Sequence, residues 1–224
     1  MNALTTDLRK LLMDAPRVSA ADPAEEPQAD VIDRQLLQLA TCTVNFGAAL
    51  EIRQTALTQR ALMAWLGVAG RDGSVTLWNF QQAMSAIKRA LDTAPTLRAT
   101  VKVADIVSTA STFYQKFPDF KRMRDAVGHA SELAKSPQAM AANAGKPNPS
   151  LGLGTMRLVA GPGQATFHDS FMGDTFFTTG FEGDVVKYDL SEASLQVLVE
   201  ITRQIFAAFP PPQYSFGPPG RPGA

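Results

Sequence analysis

The chain has 224 residues, 45% of them hydrophobic, which is enough to bury one sizeable core or two small ones. Lys plus Arg (21) equals Asp plus Glu (21), so bulk charge offers nothing to duplex DNA or an anionic membrane, and any phosphate site has to be local. The single cysteine, Cys42, excludes an intrachain disulfide and a thiolate zinc cluster, and it fits a reducing compartment.

In chain order, Met1 to Met13 sets Asp7, Arg9 and Lys10 among short apolar stretches, unlike the basic start and continuous apolar run of a signal peptide. Asp14 to Asp30 is rich in Ala, Pro, Asp and Glu, so residues 1–30 together read as a flexible leader. No apolar stretch reaches the about 20 residues needed to span a bilayer. The expectation is a cytoplasmic protein without a membrane partner.

From Val31 to Trp65, Leu36, Leu39, Thr43, Phe46, Leu50, Leu57 and Ala61 recur at helical spacing and predict one long helix. Cys42 falls within it beside Leu39, Phe46 and Ala49, a core position. Arg71-Asp72-Gly73-Ser74 reads as a turn, and a second helix follows through Trp78, Met84, Ile87 and Leu91 to Pro95. A third is expected over Leu97 to Lys116 and a fourth from Pro118 to about Ala134. Short connections favour antiparallel neighbours, so residues 31–135 read as a four-helix up-and-down bundle.

Ser136 to Ser150, with three prolines, reads as a loop. Beyond it, Thr155–Val159, Ala165–Phe167, Thr175–Thr179 and Asp184–Tyr188 favour strands separated by glycine-rich turns, a small antiparallel meander within residues 151–209. Ser191 is a good N-cap for a last amphipathic helix carrying Leu195, Leu198, Val199, Thr202, Ile205, Phe206 and Phe209, packed on the bundle or the sheet. Residues 210–224 form a Pro/Gly tail, disordered by composition. The fold class expected is mainly α with a small β layer, an α+β arrangement.

Two histidines, His129 and His168, bound the search for acid/base chemistry. Arg122-Met123-Arg124-Asp125-Ala126-Val127-Gly128-His129 places guanidinium, carboxylate and imidazole close together near a helix end. On a regular helix Asp125 and His129 share a face, so the carboxylate can orient the ring. Arg124 lies about 140° round from His129. Loosening at Gly128, or a second copy across a two-fold axis, would bring the two to one site. Lys116, Lys121, Arg122 and Arg124 form a local basic cluster with Phe113, Tyr114, Phe117 and Phe120 interleaved, a combination that holds single-stranded RNA by charge and stacking, although such aromatics are more often core.

The run Arg124-Asp125-Ala126-Val127-Gly128-His129 in a helical bundle resembles the HEPN superfamily, whose members commonly carry an Arg, a polar residue, a short spacer and a His. The resemblance covers about Val31 to Ala134. It implies a homodimer whose two motifs face one cleft and, in active members, a metal-independent endoribonuclease. Carried over, His129 acts as general acid or base, Arg124 stabilises the phosphate and Asp125 orients; from the basic cluster, Lys116, Lys121 and Arg122 are the expected RNA-binding residues. A role in defence or in a toxin pair would follow. Many members of the superfamily bind nucleic acid, a nucleotide or a protein without catalysis.

The other motifs carry less. His168-Asp169 is too small a donor set for a metal, and Gly152-Leu153-Gly154 and Gly161-Pro162-Gly163 lack the rest of a phosphate loop and read as hairpin turns. Neither a metal nor a cofactor is expected. The alternative to RNA chemistry is a noncatalytic dimeric scaffold in which the bundle and the aromatic β layer contact a protein partner and His129 has no role.

Overall fold

The computed structural model describes residues 3–59, 62, 64–133, 135–142, 151–153, 156–158 and 169–211. Helices dominate, a small three-stranded antiparallel sheet follows them, and an amphipathic helix closes the chain. Among the described residues no helix is long and apolar enough to cross a membrane.

Two long helices form the spine. Helix α2 (Glu26–Thr58) and helix α3 (Trp65–Asp92) pack along their length through Leu36, Leu39, Phe46 and Leu50 on one and Leu77, Phe80, Met84 and Ile87 on the other, all buried. Cys42 is buried in this core, and burial pushes its thiol up to about 11, with a hydrogen bond from Gln38 opposing the shift.

The N-terminal residues differ from the expected leader. Ala3–Met13 forms helix α1, which lies on α2, and its Leu8 and Leu11 join the main core. Gly47 of α2 makes room for it, since a Cβ there would stand 2.7 Å from Leu8 Cδ1. Further along, Asp22 caps a 3-10 turn at Pro23–Glu25. The Glu25 carboxylate is buried and accepts the N–H groups of Thr96 (2.9 Å) and Leu97 (2.8 Å). Proline and acid in this stretch therefore serve as a helix start and a cap for the neighbouring chain.

The expected turn at Arg71–Ser74 lies in the middle of α3. The third expected helix is broken: α4 (Pro95–Thr100) and α5 (Val103–Lys116) meet at an extended Val101, and the N–H of Lys102 donates to Ala208 O at 2.9 Å. The fourth is split into α6 (Phe120–Gly128) and α7 (Ala130–Leu133) at His129. Helix α8 (Pro137–Ala142) occupies part of the expected loop, because Pro137 opens a run of helix formers whose Ala139 N–H is accepted by Ser136 Oγ at 3.1 Å. The rest of that loop, the Ala165–Phe167 strand, Gly161-Pro162-Gly163, His168 and residues 212–224 of the tail lie outside the described residues.

Strands β1 (Leu151–Leu153) and β2 (Met156–Leu158) pair antiparallel. Strands β3 (Ser170–Met172), β4 (Thr175–Thr179) and β5 (Val185–Asp189) form the meander, with Phe171 opposite Phe176 and Phe176 opposite Tyr188. This aromatic row seats on α3 at two glycines. A Cβ on Gly70 would overlap the Phe176 ring and one on Gly73 would overlap the Tyr188 hydroxyl, and that hydroxyl donates to Gly70 O at 2.6 Å. Both glycines are contact points in a helix, which is why the turn reading at Gly73 fails.

From the other side, α2 holds the sheet through Arg53. Its Nη2 donates to Gly173 O (2.6 Å) and Asp174 Oδ1 (2.6 Å) in the β3–β4 turn, and Nη1 donates to Leu190 O (3.3 Å). Helix α9 (Glu192–Ala207), capped by Ser191 as expected, completes the core against α2 and α5. Thr43 and Thr202 hydroxyls meet at 2.9 Å across that buried seam, and each also bonds a carbonyl of its own helix.

Gly70→Ala is expected to cost about 1–3 kcal/mol by overpacking. Gly67→Ala, whose Cβ would meet only Asp169 Cβ at 3.5 Å, gains instead from helix propensity. Urea unfolding midpoints of the two variants check this. Arg53→Met strips three carbonyl or carboxylate partners of a charged donor and should cost about 2–3 kcal/mol in the same measurement.

Candidate functional site

The candidate residues lie on α6 and just beyond it, between α3 on one side and the β4–β5 connection on the other. Met123 and Ala126 point into the core and fix the rotation of the helix. Phe120, Arg124 and Asp125 are then only partly covered, while Lys121 and Arg122 are exposed.

Arg124 turns toward α3. Its guanidinium carbon lies 5.5 Å from the centre of the Trp78 ring, and Nη1 donates to Asp125 Oδ1 at 3.1 Å. Trp78 stacks on Phe120 with centroids 6.1 Å apart, and Tyr114 packs on Phe120 at 5.8 Å and accepts from Gln81 through its hydroxyl. A guanidinium over indole gains about 0.5–1 kcal/mol where exposed. Phe113 and Phe117, by contrast, are buried and belong to the core, Phe113 stacked on Phe80 and Phe117 edge-on to Phe46. The aromatic cluster of the sequence is thus divided: Tyr114 and Phe120 come to the surface, and Trp78, distant in the chain, joins them. Lys116 ends α5 and Lys121 lies in the first turn of α6; both are exposed and make no ion pair among the described residues.

His129 turns the other way. It ends α6 outside helical geometry, with its N–H on Asp125 O at 3.0 Å, and its ring approaches Phe181 with centroids 6.0 Å apart. Its Nδ1 is 3.0 Å from Glu132 Oε1, so the orienting carboxylate is Glu132 and not the expected Asp125, whose Oδ1 is engaged by Arg124. The departure of His129 from the helix removes the shared face that the regular spacing would have given it with Asp125. Within the chain, then, Arg124 and His129 do not converge, as the 3.6-residue period implies.

Arg122 forms a third arrangement. It bonds Asp184 at 2.5 Å and Asp119 at 3.4 Å, and with Asp125, Gly180, Phe181, Asp184 and Val186 it lines a cleft of about 230 Å³ between α6 and the sheet. One cation and two carboxylates face this cleft, so it does not favour phosphate. Among the described residues no group of three His, Cys, Asp or Glu side chains is placed to hold a metal. Asp169 is bonded by Arg71 and sits at a φ of 44°.

The hydrogen bond from His129, and secondarily its charge, holds the Glu132 carboxyl below its ordinary value. A carboxyl depressed by folding contributes stability above its unfolded pKa and loses it as pH falls through the folded one. An NMR titration of the Glu132 side chain should therefore show a raised midpoint in His129→Ala.

The i, i+3 spacing of His129 and Glu132 is visible in the sequence, whereas the Trp78–Arg124 and Arg122–Asp184 contacts are made by the tertiary fold. Comparison with protein-family models, curated proteins and solved structures finds no match to this chain.

Proposed function

We propose that the chain is a HEPN-like RNA-binding protein that holds single-stranded RNA on the α5–α6 face without cleaving it. The observation that carries the reading is the cluster of Trp78, Tyr114, Phe120 and Arg124, with the exposed Lys116 and Lys121 on the same two helices, α5 and α6. Aromatic faces accept bases regardless of identity, and the two lysines supply backbone charge that the balanced whole chain does not. Lack of cleavage follows from the geometry of the motif. A phosphodiester placed on Arg124 is not presented to His129, which Glu132 already engages.

A second reading is favoured by one observation: the side chains of Arg124 and His129 remain 40% and 41% exposed. In a homodimer with its two α6 helices face to face, Arg124 of one protomer would meet His129 of the other. The result would be a metal-independent endoribonuclease, with His129 as general acid or base at the ribose 2′-hydroxyl and leaving oxygen, and Arg124 on the developing charge. If neither binding nor cleavage occurs, the noncatalytic dimeric scaffold with a protein partner becomes the better account.

Fluorescence anisotropy with a labelled single-stranded RNA over a salt series separates these readings. The wild type should bind, Lys116→Ala with Lys121→Ala should flatten the log–log salt slope by about 1–2, and Trp78→Ala should lose about 1–3 kcal/mol of affinity. The same RNA incubated in EDTA should stay intact. Cleavage abolished by His129→Ala and by Arg124→Ala would establish the dimeric nuclease.

A further inference from the structure

On the far side of α6 from the stacking surface lies the cleft between α6 and the 3-10 turn Phe181–Gly183, and its chemistry differs from that of the basic face. Its floor includes the buried Val186 and the Gly180 backbone, and its rim carries the Phe181 ring, 43% exposed and beside His129. The polar groups are Arg122, Asp125 and Asp184. At about 230 Å³ it is smaller than the sites that enclose drug-sized ligands, and it suits one planar base better than a whole nucleotide.

We infer that this cleft receives one unstacked guanine base of a bound RNA strand, with Phe181 against its face, Asp125 accepting from its N1–H and N2 amine, and Arg122 donating to O6. The inference rests on the RNA-binding reading. Two carboxylates against one guanidinium repel a phosphate and call for a group that donates hydrogen bonds, since an ionised carboxylate offers only acceptors. Guanine alone of the four bases presents two adjacent N–H donors beside an acceptor on its pairing edge. Asp125 is available for this, since Arg124 engages only its Oδ1 among the described residues. Arg122, which also pairs with Asp184 and Asp119, provides the donor for the acceptor end, and the guanidinium of a partner protein's arginine has no acceptor to meet it. Splayed bases read on their pairing edge and stacked on an aromatic ring are the common mode of single-strand RNA recognition.

The test uses the full chain and short labelled single-stranded RNAs that differ at one central nucleotide: guanosine, inosine, which lacks the exocyclic amine, or adenosine. The guanosine strand should bind about tenfold tighter than the other two, and the guanosine-to-adenosine ratio should fall to about one in Asp125→Asn. Phe181→Ala, a change at an exposed ring, should also reduce that ratio while the protein keeps its unfolding midpoint. GMP should displace the guanosine strand more effectively than AMP. Equal affinity for all three strands, with Lys116 and Lys121 still required, overturns the guanine site and leaves the RNA-binding reading standing. Displacement of the guanosine strand by arginine methyl ester and not by GMP also overturns it and makes the cleft a guanidinium site. Absence of binding by any strand removes the RNA-binding reading itself.

Discussion

The sheet stands where it does because α3 has no side chains at Gly70 and Gly73. Phe176 and Tyr188 descend onto the helix backbone at those two points, and Tyr188 reaches a main-chain carbonyl that a Cβ-bearing helix would have kept at a distance. Burial and this hydrogen bond make the tyrosine a structural group, with its ionisation pushed well upward by burial first and by the nearby Asp72 charge second. Once the sheet is seated there and gripped from the opposite side by Arg53, the β4–β5 connection is carried to the flank of α6. The cleft between α6 and the sheet depends on that placement.

Helix α6 is a divider between two chemistries. Its α3 side collects a cation and aromatic rings, and its sheet side collects carboxylates around one arginine. A charge-balanced chain produces such contrast only by local segregation, because every basic surface must be matched by an acidic one elsewhere. The ion pairs Arg124–Asp125 and Arg122–Asp184 lie at the boundary and are largely exposed, so they orient side chains more than they stabilise the fold.

Much of this architecture is legible in the chain, and the exceptions have physical causes. The α2 stripe from Leu36 to Leu50, the α9 stripe and the Ser191 cap are local signals and appear where periodicity places them, whereas α2 ends at Thr58, short of the expected Trp65, and leaves Leu57 exposed. The mainly α fold with a small antiparallel sheet follows from them. Glycine in α3 misleads because the same residue marks turns and close helix contacts, and only the tertiary partner tells the two apart. The first 30 residues mislead for a related reason: Leu8 and Leu11 are too few to show a period, and Glu25 has no visible purpose until α4 lies beside it. At the candidate site the sequence brings Arg124, Asp125 and His129 to one short segment, but side-chain direction is set by Trp78, Glu132 and Phe181, of which only Glu132 is a near neighbour in the chain.

The hydroxyl pair Thr43–Thr202 and the cover that α1 lays over α2 and α9 join the two ends of the described fold. On the ribosome, the apolar face of α2 is made long before the helix that closes it. Until α9 emerges, Thr43 has only its own helix to bond, and the Leu36–Leu50 face has lost one of its walls. The nascent chain therefore exposes the apolar face of α2 until α9 has been made, a state that favours engagement by holding chaperones and delays closure of the core until that helix emerges.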